Sequence, residues 1–85
     1  MYGVVDMDIT TAVRERILAL CQERKITINK LGTICGITQS TLENIVSGRN
    51  GVTVVTLKKI CDGLEISIVG FFDTEEFLAL EQEIR

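Results

Sequence analysis

Residues 39–44 carry polar side chains at every position except Leu42. Glutamine and asparagine donate and accept hydrogen bonds through one planar amide, so each can pair with both polar groups on an adenine edge. Serine and threonine hydroxyls can serve either kind of partner. The alternative is a helix face that is merely solvated, although such faces more often carry lysine and glutamate. We therefore interpret Gln39, Ser40 and Asn44 as candidates for hydrogen bonding to base edges.

Few residues of the chain are suited to catalysis. Histidine is absent from the sequence, which excludes Ser-His, Cys-His and His-metal sites. Carboxylates do lie close together at Glu75-Glu76 and at Glu81/Glu83, but this spacing is more typical of a solvated helix face than of a general acid–base pair. The sequence also lacks a Gly-rich phosphate loop. We expect a protein that is not an enzyme and that uses no cofactor, metal or small-molecule ligand.

Cys21, Cys35 and Cys61 each fall at an apolar position of a helical pattern. Their number is odd and no CxxC occurs, so neither a disulfide framework nor a zinc site is indicated. We expect reduced thiols that act as small buried hydrophobes. The sequence has no apolar run near the about 20 residues of a membrane span, and the N-terminal residues do not resemble a secretory signal. These features predict a cytoplasmic protein without membrane contact.

Charge is distributed unevenly, although the net charge of the chain is only −3. Residues 24–59 hold six basic side chains and a single acid, Glu43, whereas both flanking regions are acidic. Phosphate binding depends on the local potential rather than on the net charge. The basic middle of the chain is therefore a candidate DNA-binding surface. The alternative is that ordinary surface charges are distributed in this way by chance.

Periodicity and capping residues predict five or six short helices joined by short turns. Asp8 or Thr10 would cap a first helix running to about Arg24, with Ile17 and Leu20 on one apolar face. Asn50-Gly51 indicates a turn, and the absence of an alternating strand before it disfavours a β-hairpin. The caps predicted for the later helices are Thr27, Thr38, Thr53, Ser67 and either Asp73 or Thr74.

Two glycines would join the second and third of these helices. Helices of under ten residues can cross steeply only where one presents little side chain at the contact, which predicts a close approach at Gly32. The turn between them needs a residue that tolerates positive φ, and Gly36 supplies it. Leu31, Leu42 and Ile45 would then pack this pair of helices onto the first and fourth.

This ordering resembles the Cro/phage-repressor family of helix-turn-helix proteins, also called XRE-like, over about residues 9–72. The resemblance implies an all-α fold: a compact five-helix lambda-repressor-like bundle, here with an extra C-terminal helix. It divides the chain into an N-terminal tail (1–8), the helix-turn-helix domain (9–72) and an acidic C-terminal helix (73–85). The matching positions are Arg16, Leu20, Thr27-x3-Leu31, Gly36-Ile37-Thr38-Gln39, Leu42-x2-Ile45, Ser47-Gly48-Arg49-Asn50 and Thr53-x3-Leu57-x2-Ile60-Cys61-x2-Leu64.

Site residues also follow from the resemblance. Gln39, Ser40 and Asn44 fall where side chains of the recognition helix reach base edges. Backbone N–H groups at the start of the second helix would face a phosphate. The residues that fall near the sugar-phosphate backbone are Thr27, Thr38, Thr41, Arg49 and Asn50.

Several positions depart from the family pattern. Ile28 stands where many members carry a polar residue that contacts phosphate, which weakens one expected contact. Gly32 replaces a commoner alanine, and Gly51-Val52 stands where proline is common. Cys21 and Val46 occupy positions where some members have an Arg–Glu ion pair, so we expect a buried apolar contact instead.

Together these features predict a sequence-specific DNA-binding transcriptional regulator, in a repressor role, that binds double-stranded DNA as a homodimer. The alternative is a protein-interaction module, such as an antitoxin or adaptor, that keeps the fold with little or no DNA binding. Candidate dimer contacts lie around the start of the fourth helix and along the last helix, although the stripe on the last helix could instead dock on its own bundle. These candidates are Val52, Val54, Val55, Phe77, Leu80 and Ile84.

Overall fold

The computed structural model describes residues 8–80, and these residues form helices and turns with no strand among them. This confirms the predicted all-α bundle. None of these helices is long and apolar enough to cross a membrane, a finding restricted to the same residues. The helices are α1 (Ile9–Glu23), α2 (Ile28–Cys35), α3 (Gln39–Val46), α4 (Val54–Gly63), α5 (Ile68–Phe72) and α6 (Glu75–Leu78).

Each described helix begins directly after a polar residue that caps it. The side-chain oxygen of the cap accepts a hydrogen bond from the backbone N–H three residues later, which satisfies a donor that has no partner within the helix. The structure selects Asp8 rather than Thr10 for α1, and Thr74 rather than Asp73 for α6. The remaining caps are the predicted ones: Thr27, Thr38, Thr53 and Ser67.

The core is mainly aliphatic, and Phe71 is the one aromatic residue that is buried among residues 8–80. Helix α2 packs against α4, α3 and α1, while α5 packs against α4. Because helices of eight residues are unstable in isolation, this shared core is what stabilises α2 and α3. The side chains that are almost completely buried are Ile17, Leu20, Leu31, Leu42, Ile60, Cys61 and Phe71.

Arg16 connects α1 to the end of α5. Its Nε donates to the carbonyl oxygen of Phe71 at 2.8 Å, and its Nη2 donates to the carbonyl oxygen of Gly70 at 3.1 Å. The guanidinium carbon also lies 5.9 Å from the centre of the Phe71 ring. A cation at the C-terminus of a helix interacts favourably with the last carbonyls of that helix, so Arg16 is a structural residue.

Helices α1 and α4 end in the same type of turn. Lys25 and Glu65 both have φ of 57°. The N–H of Ile26 then donates to the carbonyl oxygen of Cys21 at 3.0 Å, and that of Ile66 to the carbonyl oxygen of Cys61 at 2.9 Å. Neither residue is glycine, so residue type did not signal this left-handed conformation.

The cysteines lie where periodicity predicted them. Cys21 and Cys61 are buried, Cys35 is half-buried, and all three are free thiols. Burial raises the pKa of each thiol, so the protonated form dominates at neutral pH. No cluster of metal-ligating side chains occurs within residues 8–80. Val46 is half-buried, and its predicted contact with Cys21 stays a prediction.

The last helix differs from the one predicted. Helix α6 ends at Leu78 with Ala79 as its C-cap, whereas the pattern predicted a helix continuing along the acidic C-terminal segment. Phe77 packs against the core, with its ring centre 4.8 Å from that of Phe72 and 6.1 Å from that of Phe71. Leu80 is half-buried, and Ile84 lies outside the described residues. Docking of this face on its own bundle, the alternative raised above, is therefore observed for Phe77.

Candidate nucleic-acid interface

Helices α2 and α3 meet at Gly32. A Cβ added there would lie 2.9 Å from the carbonyl oxygen of Ile37 and 2.9 Å from Cδ1 of Leu42. Gly36 ends α2 with φ of 70°, and the N–H of Ile37 donates to the carbonyl oxygen of Gly32 at 2.9 Å. The predicted roles of both glycines, a close crossing and a left-handed turn, are confirmed.

This packing orients α3. Leu42 and Ile45 are buried, whereas Gln39 and Ser40 are exposed and Asn44 is half-buried. Since residues four apart share a helix face, Ser40 and Asn44 lie together on the side away from Leu42. Gln39 is three residues before Leu42, so it is exposed at the edge of this accessible side of α3.

Glu43 also lies on this surface, although it was not among the predicted site residues. Its side chain is exposed, and its Oε2 accepts a hydrogen bond from Nε2 of Gln39 at 3.4 Å. The spacing of four residues is the sequence signal that could have indicated this pair. Glu43 would repel phosphates, but a carboxylate can also accept a hydrogen bond from the amino group of cytosine.

The turn after α3 folds back onto Asn44. Gly48 has φ of 86°, which reverses the chain direction. The N–H of Asn50 donates to the main-chain oxygen of Asn44 at 3.1 Å, and Nε of Arg49 donates to Oδ1 of Asn44 at 3.0 Å. Arg49 and Asn50, two candidates for backbone contacts, are thereby brought next to a candidate base reader.

The three threonine candidates all take part in helix caps. Oγ1 of Thr27 accepts from the N–H of Lys30 at 3.0 Å. Oγ1 of Thr38 accepts from the N–H of Thr41 at 3.2 Å and donates to the Thr41 hydroxyl at 2.8 Å. Because a hydroxyl offers one proton and two lone pairs, Thr27 and Thr41 each retain a proton for a phosphate oxygen. Ile28, by contrast, packs against the core.

The basic side chains of residues 24–59 are all exposed. Arg24 pairs with Glu23, and Lys58 pairs with Asp62. The other four have no ion-pair partner within the part of the chain that the structure describes, which leaves their charge available to an anionic ligand. They are Lys25, Lys30, Arg49 and Lys59.

The valines proposed as dimer contacts differ in exposure. Val54 and Val55, in the first turn of α4, are 77% and 67% exposed. Val52 is half-buried and packs against the core. Two large aliphatic side chains exposed side by side form a candidate contact surface.

Two short helices that cross at a glycine, with a polar accessible face on the second, define a helix-turn-helix domain. The sequence model of the Cro/C1-type HTH DNA-binding domain matches residues 16–76, and the chain belongs to this family.

Two relatives extend the match. The HTH-type transcriptional repressor RghR of Bacillus subtilis (strain 168) is 32% identical over 72 residues, which cover 84% of this chain and 53% of RghR. The chain thus spans about half the length of that relative. The crystal structure of the prophage Lp1 protein 11 matches with a TM-score of 0.75 and 32% identity, covering 82% of this chain and 93% of the prophage protein.

Proposed function

We propose that this protein is a sequence-specific DNA-binding regulator of transcription that inserts α3 into the major groove. The observation that carries this proposal is the accessible face of α3, where Ser40 and Asn44 lie opposite the buried Leu42 and Gln39 is exposed at its edge. Membership of a DNA-binding family supports it. The name of RghR, a transcriptional repressor, supports a repressor role, and a DNA ligand favours a cytoplasmic location.

Phosphate contacts would hold α3 in the groove. In this proposal they come from the residues around the two ends of α3 and the start of α2, and phosphate contacts make affinity fall with salt concentration. The reading unit is residues 9–72, preceded by the tail 1–8 and followed by the acidic segment 73–85. The proposed contacts are made by Thr27, Thr38, Thr41, Arg49 and Asn50.

We further propose that the regulator is a homodimer. One helix-turn-helix buries little DNA surface, so a single subunit would discriminate weakly between genomic sites. Two-fold pairing places two copies of α3 about one helical turn apart on a palindromic site. Val54 and Val55 offer the exposed apolar contact, supported by Val52, whereas Phe77 already packs within its own chain. Leu80 and Ile84 belong to a second candidate contact, in the C-terminal segment.

A protein-interaction module remains the second candidate. It is favoured by the packing of Ile28 against the core, which removes one polar contact to phosphate. It is also favoured by the acidic net charge of −3. Affinity for random duplex DNA separates the two candidates, since salt-sensitive micromolar binding supports the regulator and no binding supports the module.

The test of the reading helix combines selection of a best DNA site with substitutions. Gln39→Ala and Asn44→Ala should each cost about 1–3 kcal/mol on that site and relax the preference at one or two base pairs. Gln22→Ala, an exposed glutamine on α1, is the matched control and should leave the preference profile unchanged. Retention of the wild-type profile by both α3 variants would show that α3 is not the reader.

A further inference from the structure

Asn44 is less accessible than its position on α3 would suggest. It lies on the side away from the core, one turn after the exposed Ser40, yet it is half-buried. The turn after α3 folds back to meet it. The hydroxyl of Ser47 donates to the main-chain oxygen of Asn44 at 3.1 Å, and the N–H of Asn50 donates to the same oxygen at 3.1 Å. These two bonds hold the turn in a defined position beside the Asn44 side chain.

Arg49 uses that position to hold the amide of Asn44. Its Nε donates to Oδ1 at 3.0 Å, and a hydrogen bond from a cationic donor is stronger than one between neutral groups. Reversing the amide would place its NH2 group against the N–H of Arg49, donor against donor. The carboxamide oxygen of Asn44 therefore faces Arg49, and the NH2 group faces the opposite way.

Amide orientation matters because a carboxamide has nearly the same shape in both orientations but an opposite hydrogen-bonding pattern. An unrestrained asparagine amide can thus bind a base edge in either orientation, whereas an amide fixed in one orientation presents a single pattern of donor and acceptor. Discrimination between bases depends on that pattern. The two Nη groups of Arg49 are not needed for this bond and remain available to a phosphate.

We propose that Arg49 is a positioning residue for base recognition, which acts by holding the Asn44 amide in one orientation through Nε. This inference rests on the proposed function, because it assigns Arg49 a second role within the same DNA-reading site. Arg49 thereby sharpens the base preference of Asn44 in addition to contacting the DNA backbone.

The experiment uses Arg49→Lys, which keeps the charge but removes the Nε donor. The base pair read by Asn44 is located as the position where Asn44→Ala flattens the preference. At that position, Arg49→Lys should reduce the ratio of affinities for the best and second-best base roughly three- to ten-fold. Any loss of phosphate contact by Arg49 would lower the affinity for random DNA and for every site alike, so the ratio isolates the positioning role. Arg24→Lys, the same change at an arginine that pairs with Glu23, is the control and should alter neither quantity.

A double-mutant cycle separates positioning from direct reading. In the Asn44→Ala background, Arg49→Lys should have no further effect at that base pair. An equal effect in both backgrounds would mean that Arg49 reads the base itself, and an unchanged preference in Arg49→Lys alone would mean that Asn44 needs no positioning. Either result overturns the inference while DNA binding stands. A wild-type protein without any base preference would instead overturn the proposed function.

Discussion

Asp8 is the only N-terminal helix cap among residues 8–80 that ionises, since the other five are threonine or serine. Its Oδ1 accepts from the N–H of Thr11 at 2.8 Å. This backbone hydrogen bond, together with one from the Thr11 side chain and the charge of Arg14, lowers the pKa of Asp8 below its ordinary value of 3.8. A lowered pKa in the folded state means that the ionised cap stabilises the fold above pH 3.8 and that this contribution disappears as pH falls through the lowered pKa.

Asp8→Ala should therefore destabilise the protein in a pH-dependent way. The free energy of unfolding should be lower than that of the wild type at neutral pH, and the difference should shrink as the pH is lowered below the ordinary value of 3.8. Thr53→Ala, which removes the neutral cap of α4, should cost about 0.5–2 kcal/mol at all of these pH values. Urea denaturation at several pH values measures both. An Asp8→Ala difference that does not vary with pH would rule out the ionised cap.

At the scale of the elements, the crossing of α2 and α3 depends on Gly32. The obstacle that an added Cβ would meet is partly backbone, the carbonyl oxygen of Ile37. That oxygen cannot turn aside as a flexible side chain would, so the two helices would have to separate. Such a displacement would also loosen Leu42, whose Cδ1 lies equally close. Helices α2 and α3 thus approach each other more closely at Gly32 than an alanine side chain would permit, although alanine is the commoner residue at this position in the family.

Gly32→Ala should destabilise the protein by about 1–3 kcal/mol, because overpacking a tight contact outweighs the roughly 0.5–1 kcal/mol that alanine gains in helix propensity. Gly51→Ala is the control: its Cβ would meet only Oγ1 of Thr10, at an ordinary 3.7 Å, so the free energy of unfolding should stay the same or rise slightly. Chemical denaturation of both variants checks the difference. If Gly32→Ala proved as stable as the wild type, the crossing would be looser than described.

At the scale of the whole molecule, charge and apolar surface are separated. The unpaired basic side chains and the polar face of α3 suit an anionic ligand, and two copies of that surface would repel each other. A second copy must therefore bind elsewhere. Val54 and Val55 offer an exposed apolar pair, whereas Phe77 is engaged in an aromatic cluster with Phe71 and Phe72. Truncation of α6 would disturb that cluster, so point substitutions test the interface more cleanly.

Replacing both Val54 and Val55 by Glu should give a folded monomer. Acidic residues are favourable in the first turn of a helix, so α4 should still form. The introduced carboxylates of the two subunits would repel each other at the interface, which should prevent dimerisation. Sedimentation velocity at tens of micromolar should show a dimer for the wild type and a monomer for the variant, with weaker binding to a palindromic site. Val69→Glu changes an equally exposed valine on α5, 79% exposed, and should remain dimeric. A wild-type chain that is monomeric both free and on DNA would exclude the homodimer.

Much of this protein follows from the sequence alone. The six helices of residues 8–80 begin where short polar residues precede apolar periodicity, and the predicted caps Thr27 and Thr38 are confirmed. The buried faces were also predictable, as were the polar face of α3 and the glycines at its crossing with α2. These features depend on interactions between residues three or four positions apart, and interactions over such short separations can be predicted directly from the sequence.

Other features depend on the path of the folded chain. Arg16 binds carbonyls 54 and 55 residues away, and Phe77 joins the core instead of extending an exposed stripe. Lys25 and Glu65 adopt left-handed turns without being glycine. Arg49 reaches Asn44 only because Gly48 reverses the chain between them. Residue type and spacing do not encode these contacts, because each requires two segments whose relative placement is decided by the packing of the whole core.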